Sequence, residues 1–248
     1  GGFRFRSLFL FALCLAAQFY AGHTQIPLYV FYLLLFRAAW WGWNEARDAR
    51  RVRAFFPYPL WTAAGLALAI GLAALVLFPL LELSGWTAGR AGGADYEFST
   101  NDSLPPGHLI TLAAPFFYGD PTRPDRESRF WETRTGFHEI CGYAGILPLL
   151  LLLLGFLPGP PSTAETNERF LRREFYFFAA VAVGAICFAM GRYNPLYALL
   201  YYGLPGWNYF RVPGRLLLLF LLGVSTGAAR GLAAVCTVNW KQAAMAWP

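Results

Sequence analysis

The sequence predicts an all-α fold, a polytopic transmembrane helical bundle with one large extracytoplasmic loop and short interfacial helices. Three observations predict it. Of 248 residues, 57% are hydrophobic and 14% are charged, where a soluble domain carries about 25% charge; mean hydropathy is +0.41. Uncharged runs near the length of a bilayer crossing, roughly 20 residues, recur along the chain. The formal charge of +6 is almost all Arg, 19 of the 20 basic residues, which suits topology signals better than a polyanion partner. So little charge cannot cover a water-facing surface of this size. That argues against an ordinary soluble enzyme, a disordered region and a nucleic-acid module.

Each span follows from its own residues. Residues 7–36 contain no Asp, Glu, Lys or Arg, which is long for one crossing. Gly22-His23-Thr24-Gln25-Ile26-Pro27 interrupts the run with turn chemistry, so it reads as two short helices, about 3–21 and 24–41. One long helix is expected over about 59–84. The run 140–164, with Ile146-Leu147-Pro148 followed by six Leu, gives another, and 175–191 and 214–238 bring the spans to six. Pro148 and Pro213 fit such helices where a neighbouring helix or water satisfies the freed carbonyl. Residues 1–238 thus form one transmembrane domain, with 239–248 an unassigned tail.

Basic residues set the orientation. With a cytoplasmic N-terminus, the inside segments hold 12 basic residues and the much longer outside loops hold 8. The cluster Arg47, Arg50, Arg51 and Arg53 is the strongest signal. A single helix over 7–36 would put it outside, so the charge pattern supports the split.

Two connections stand apart. Residues 85–137 form an outer loop of 53 residues. Turn chemistry marks it at Gly92-Gly93 and Asn101-Asp102-Ser103. A short helix is expected after Ser103, capped by its hydroxyl, with Pro105 and Pro106 in the first turn. Its body, 108–118, is apolar enough to lie in the membrane interface. Residues 192–211 carry seven Tyr, Trp and Phe residues and read as an interfacial segment on the outer side.

The four cysteines, Cys14, Cys141, Cys187 and Cys236, lie in or beside apolar runs and form no disulfide or zinc pattern. The chain has no initiator Met, opens on Gly-Gly-Phe-Arg and stops at Trp247-Pro248; it is expected to be a fragment lacking sequence at both ends. Residues 5–20 resemble a signal h-region without the small-residue cleavage site.

Charge gathers on the outer side. Nine of the 14 acidic residues lie from Glu82 to Glu139, and Arg192, Arg211 and Arg215 share that side. A lipid phosphate needs such a place, because Arg offers phosphate oxygens a planar, permanently charged fork. A carboxylate can accept a hydroxyl proton or hold a divalent cation. The alternative is solvated loop charge and ordinary belt aromatics. Glu82 ends a long apolar helix, where it is either paired or already in the headgroup layer. Glu139 opens the next span, where the helix dipole alone favours it. His23 and Gln25 sit at an outward turn, which a hydrogen-bonded turn residue also explains. Arg211 and Arg215 flank Val212-Pro213-Gly214 and, four apart, share one helix face. Two Arg there oppose the positive-inside tendency, which favours a ligand. Asp120, Asp125, Glu127 and Glu132 read as solvated. GxGxxG, P-loop, GxSxG and HExxH patterns are absent.

Five strings together resemble a known family: Ala21-Gly22-His23-Thr24-Gln25, Pro79-Leu80-Leu81-Glu82-Leu83-Ser84, Ala114-Pro115-Phe116-Phe117-Tyr118-Gly119, Tyr143-Ala144-Gly145-Ile146-Leu147-Pro148-Leu149 and Phe210-Arg211-Val212-Pro213-Gly214-Arg215. In order and spacing they resemble the bacterial YfhO-like membrane proteins of the GT-C class of glycosyltransferases, over about 22–232. The resemblance implies sugar transfer at the outer face of a bacterial plasma membrane. The donor would be a polyprenyl-phosphate sugar and the acceptor an envelope glycan or glycolipid. It also implies a catalytic carboxylate in a first outer loop, expected upstream of this sequence, so no residue here is assigned that role.

On this reading Arg211, Arg215 and Arg90 bind the lipid phosphate and stabilise it as leaving group. Glu82 and Glu139 hold the sugar, a divalent cation or those arginines. His23, Gln25 and Tyr143 complete the substrate-binding set. Two other classes stay open: a transporter or lipid flippase, which would carry midplane charges and repeated halves, and an assembly protein with no substrate.

Overall fold

The computed structural model describes residues 2–86, 93–119, 137–157 and 165–237. Arg90, the acidic residues Asp120, Asp125, Glu127 and Glu132, and the tail 239–248 lie outside them. The described residues are mostly helical, joined by turns and irregular stretches, with no strand among them. By contacts the chain divides into one unit of Gly1–Asp95 with Pro205–Phe210 and a second of Tyr96–Leu204 with Arg211–Pro248.

In the first unit, α1 (Gly2–Tyr20) and α2 (Gln25–Ala49) are separate helices. Gly22 turns the chain between them at φ +84°, a conformation that costs glycine little. The expected split is therefore present, although α2 runs well past its expected end. Arg50, in a left-handed conformation, closes α2 by donating its backbone N–H to Ala46 and Arg47.

The expected helix over 59–84 is instead two, α3 (Pro57–Leu72) and α4 (Ala74–Trp86). Pro79 lies inside α4; its missing N–H and its ring disturb the preceding turn. The break at Ala73 frees the Leu72 carbonyl, which accepts a 2.9 Å hydrogen bond from the Tyr20 hydroxyl of α1. Ala12, Leu15, Leu66 and Ala69 form the core where α1 packs on α3, with Leu34 and Leu35 of α2 against it. The small residues Gly65, Ala69 and Ala73 recur every four positions along this face, and a Cβ on Gly65 would press into the Phe11 ring. Such spacing lets helix backbones approach closely. The segment Pro205–Phe210 completes the unit. Trp207 lies 5.3 Å from Tyr29 and 5.9 Å from Tyr32, ring to ring. The Tyr32 hydroxyl donates to the Pro205 carbonyl at 2.5 Å, and Ala94 N–H donates to Asn208 O at 2.8 Å.

In the second unit the short helices α5 (Tyr96–Ser99) and α6 (Phe137–Ile140) precede α7 (Ile146–Leu154), α8 (Glu165–Ala189), α9 (Tyr197–Gly203) and α10 (Leu217–Thr237). Among the described residues of the run 140–164, no helix of crossing length forms. At 1.5 Å per residue, α7 is about 14 Å long, half a hydrocarbon core of about 30 Å. It starts after Gly145 at φ +91°. The leucine run cannot extend backward through that conformation, which L-residues resist. Residues 192–211 contain the seven-residue α9 and short 3-10 turns, too short to cross.

Against α10 the other two long segments pack through a row of glycines, Gly223, Gly227 and Gly231. A Cβ on Gly223 would meet Phe178 O and Ala182 of α8; on Gly227, the Leu152 side chain of α7; on Gly231, the Leu151 backbone. Ser225 and Thr226 donate their hydroxyls back to Leu221 and Leu222 carbonyls within α10, so neither needs an outside partner. Arg230 donates to the Gly155 carbonyl at 3.0 Å and lies over the Phe175 ring, occupying the C-terminal end of α7.

Two helices are long and apolar enough to cross a membrane, Val52–Leu72 and Pro213–Cys236. Large apolar side chains on the helices are unburied, among them Leu75 at 83%, Phe78 at 70% and Leu147 at 66% exposure.

Candidate functional site

Three separated segments meet at the N-terminal end of α10. The first is the turn after α5. Thr100 O accepts the Ser103 hydroxyl at 2.6 Å, so that hydroxyl closes this turn and does not cap the next helix as expected. The next helix is a 3-10 helix, Pro106–Leu112, with Pro105 at its N-cap and no side-chain cap bond. It begins where the sequence expects, but with tighter winding, which suits so short a piece.

The second segment follows α8. Its Arg192 is tied to the turn three times: N–H to Ser103 Oγ at 3.1 Å, Nε to Thr100 O at 3.2 Å, and a guanidinium nitrogen to Asn101 Oδ1 at 3.0 Å. Leu104, fully buried, donates its N–H to Ala189 O at 2.8 Å. Gly191 sits at φ +44° against Ser103, where any Cβ would collide with the hydroxyl.

The third segment is Arg211-Val212-Pro213-Gly214-Arg215. Val212 is buried at φ +66°, a costly conformation for a β-branched residue. The turn it makes separates the flanking arginines, which do not share a helix face as the spacing implies. Gly214 N–H donates to Asp102 O at 3.3 Å. A Cβ on Gly214 would lie 2.9 Å from Glu139 O and 3.0 Å from Asp102 O, so glycine lets the three backbones close.

The arginines differ. Arg215 grips Glu139 with a bidentate fork, Nε to Oε2 at 2.6 Å and the terminal nitrogen to Oε1 at 2.5 Å. The side chains are 25% and 18% exposed, so this pair is shielded enough to matter structurally. Arg211 is exposed, its guanidinium carbon 5.6 Å from the centre of the Phe98 ring. His138 Nε2 lies 3.7 Å from Glu139 Oε1.

Asp102 is the site residue the sequence reading missed, since it read there only as turn chemistry. Its own backbone is left-handed at φ +57°. Burial pushes its carboxyl above the usual carboxylate range; Arg211 opposes that rise most strongly, the Glu139 charge adds to it, and Arg215 and Arg192 oppose it. Arg192 was likewise unassigned beyond its side of the membrane. The Asn-Asp-Ser turn was the only local signal, and its meaning comes from Gly214, far along the chain. On the 3-10 helix that follows the turn, His108 is fully buried and stacks on Tyr118 at 4.9 Å. Burial holds its imidazole below the ordinary 6.5.

The other expected site residues stand elsewhere. Tyr143 is exposed in the extended stretch before α7. Glu82, on α4, and His23, in the α1–α2 turn, are exposed residues of the first unit. Gln25 is buried there and donates to the Tyr29 hydroxyl at 2.6 Å, a role inside the helix packing. Arg90 lies outside the described residues. Among the described residues no group of three or more His, Cys, Asp or Glu side chains could hold a metal ion.

Three guanidinium groups against two carboxylates leave an excess of positive charge at the N-terminal end of a long apolar helix. Such a place attracts an anion through both the arginines and the helix dipole. Comparison with protein-family models, with curated proteins and with solved structures finds no match to this chain.

Proposed function

We propose that the chain is a polytopic bacterial plasma-membrane protein that binds a lipid-linked phosphate at the Arg211 end of α10, as part of a GT-C-like, YfhO-like glycosyltransferase. The gathering of Arg192, Arg211 and Arg215 with Asp102 and Glu139 carries the reading. Two observations support the membrane setting. Of the two apolar helices, 17% of the first and 44% of the second are buried, where the core helix of a soluble protein would be mostly covered. Large exposed apolar side chains also need a non-aqueous surrounding.

Within this reading Arg211 is the phosphate-binding arginine, and its charge would stabilise the polyprenyl phosphate as it leaves the sugar. Arg215 is a positioning residue, because Glu139 already holds its fork. The acceptor is an envelope glycan or glycolipid, and its proton goes to a carboxylate carried by the remainder of the enzyme. The test has two parts. Arg211→Ala should weaken polyprenyl-phosphate binding to detergent-solubilised protein by about tenfold or more, the loss of one charge-assisted contact. It should also lower sugar transfer from a polyprenyl-phosphate donor in membranes, normalised to protein level. Wild-type binding and transfer by that variant would overturn the reading.

One observation favours a second reading, a membrane assembly protein with no substrate: the closed Arg215–Glu139 pair is what a purely structural clamp needs. Such a protein would bind no phosphate, and its clamp variants would change only folding.

A further inference from the structure

We propose that Asp102 is a second binding residue of the phosphate site and acts in its acid form, so that holding a phosphodiester takes up one proton. The inference rests on the phosphate reading above. That reading counts Asp102 among the gathered charges and gives it no role of its own.

The geometry is the starting point. Asp102 is clamped by its backbone to the segment that carries both arginines, through the Gly214 N–H and a contact that leaves no room for a Cβ. Its carboxyl is half-buried and lies within the fields of Arg211, Arg215, Arg192 and Glu139. Glu97 and Tyr96 on α5, His138 beside Glu139, Cys141 after α6 and Tyr193 next to Arg192 are further titratable groups on the segments that form the site. Glu139 is held charged by the fork of Arg215.

A phosphodiester on Arg211 would bring a fixed negative charge toward a carboxylate already penalised by burial. Two such anions cannot both stay charged at short range, and one takes a proton. The diester is too acidic to take it, so Asp102 does. A solvent proton binds the carboxylate, and the resulting O–H donates a hydrogen bond to a phosphate oxygen while the guanidinium of Arg211 holds the charge. No bond to phosphorus forms or breaks. The raised proton affinity of Asp102 before any ligand arrives reduces the cost of this step. Left-handed Asp102 is also well placed for its test, because Asn tolerates that backbone as readily as Asp and its amide mimics the O–H donor.

The experiment measures binding of dihexanoyl-phosphatidylglycerol, a phosphodiester whose charge is constant between about pH 5 and about pH 8, to the full chain in detergent. Glycerophosphoglycerol, the same headgroup without acyl chains, runs beside it. Wild-type affinity should fall as pH rises, by up to tenfold per pH unit, the limit for one proton. Asp102→Asn should bind as tightly as the wild type does at the acid end and should lose the pH dependence. Asp102→Ala should bind weakly at every pH. His138→Gln should keep the wild-type slope, which separates Asp102 from the imidazole that lies beside Glu139. Headgroup alone giving the same slope would assign the site to soluble diesters; a slope seen only with the acylated probe would assign it to lipid. Binding with no slope, or a slope that survives in Asp102→Asn, overturns the role of Asp102 and leaves the phosphate site standing. No binding of either probe by any protein overturns both.

Discussion

The two ends of α10's packing are held by opposite means. Along Gly223, Gly227 and Gly231, contact depends on the absence of side chains, and the neighbours are backbone and apolar carbon. At Arg211–Arg215, contact depends on charge, on a bidentate pair, and on two residues held left-handed, Asp102 and Val212. A protein needs the first kind of contact to have a helix bundle. The second combines strain, exposure and charge, which are the marks of a place that meets something else. The difference separates the residues whose loss should unfold the protein from those whose loss should change what it binds.

The comparison breaks most sharply at the glycine row. Gly231→Leu should lower stability by about 3 kcal/mol, since the new side chain would have to displace the Leu151 backbone. Gly71→Ala is the contrast: nothing lies within 4 Å of its Cβ position, so it should raise stability by about 0.5–1 kcal/mol through helix propensity alone. Thermal unfolding in detergent reads both. At the polar end, Glu139→Gln should cost about 2 kcal/mol by leaving a shielded guanidinium poorly paired. A double-mutant cycle with Arg215→Gln should return a coupling of about 1–2 kcal/mol; additive losses would mean the fork contributes nothing.

His108 gives a smaller, pH-gated effect. Its folded proton affinity lies below the ordinary 6.5, so the unfolded chain binds the proton first as pH falls. Stability should be flat above 6.5 and decline below it, through the window down to the folded value. His108→Phe, which can keep the stack on Tyr118, should remove that decline from the acid-unfolding profile. The smallest change is expected at Val212→Gly. Relief of about 1–2 kcal/mol of left-handed strain offsets the lost burial of about 1.5–3 kcal/mol. At the middle of those ranges the net is a loss of about 1 kcal/mol, well short of a buried Val→Gly in ordinary backbone.

What the sequence disclosed follows the range of each cause. The α1–α2 break was legible because Gly22 and Pro27 act on their own neighbours. The break at Ala73 was not, since the Leu72 carbonyl is satisfied there by the Tyr20 hydroxyl of another helix. The leucines of α7 read as a crossing because hydropathy does not register the backbone of Gly145. The types at the site, Arg and Glu with the turn residues of 101–103, were visible, and Glu139 and Arg215 were both named as candidates. Their pairing was not visible, because it joins residues 76 apart. Asp102 and Arg192 stayed unassigned for the same reason: their partners lie 89 residues and more away in sequence. The glycine row was on view every four residues, yet only the facing residues of α7 and α8 show that the spacing makes a packing surface.

The division of the chain has a consequence for biogenesis. Pro205–Phe210 belongs with residues made long before it, and Trp207 covers Tyr29 and Tyr32. Phe210 leaves the ribosome 115 residues after Asp95, which at about 5–20 residues per second is a wait of roughly 6–23 s. During that interval the first helices exist without their closing tryptophan, and Ala94 lacks the carbonyl of Asn208. A cut at residue 95 would fix the protein in that waiting state, so the first unit should not mature as a separately expressed piece. Supplying 205–210 in trans, or stalling synthesis just short of Trp207, would show how long the unfinished unit survives quality control.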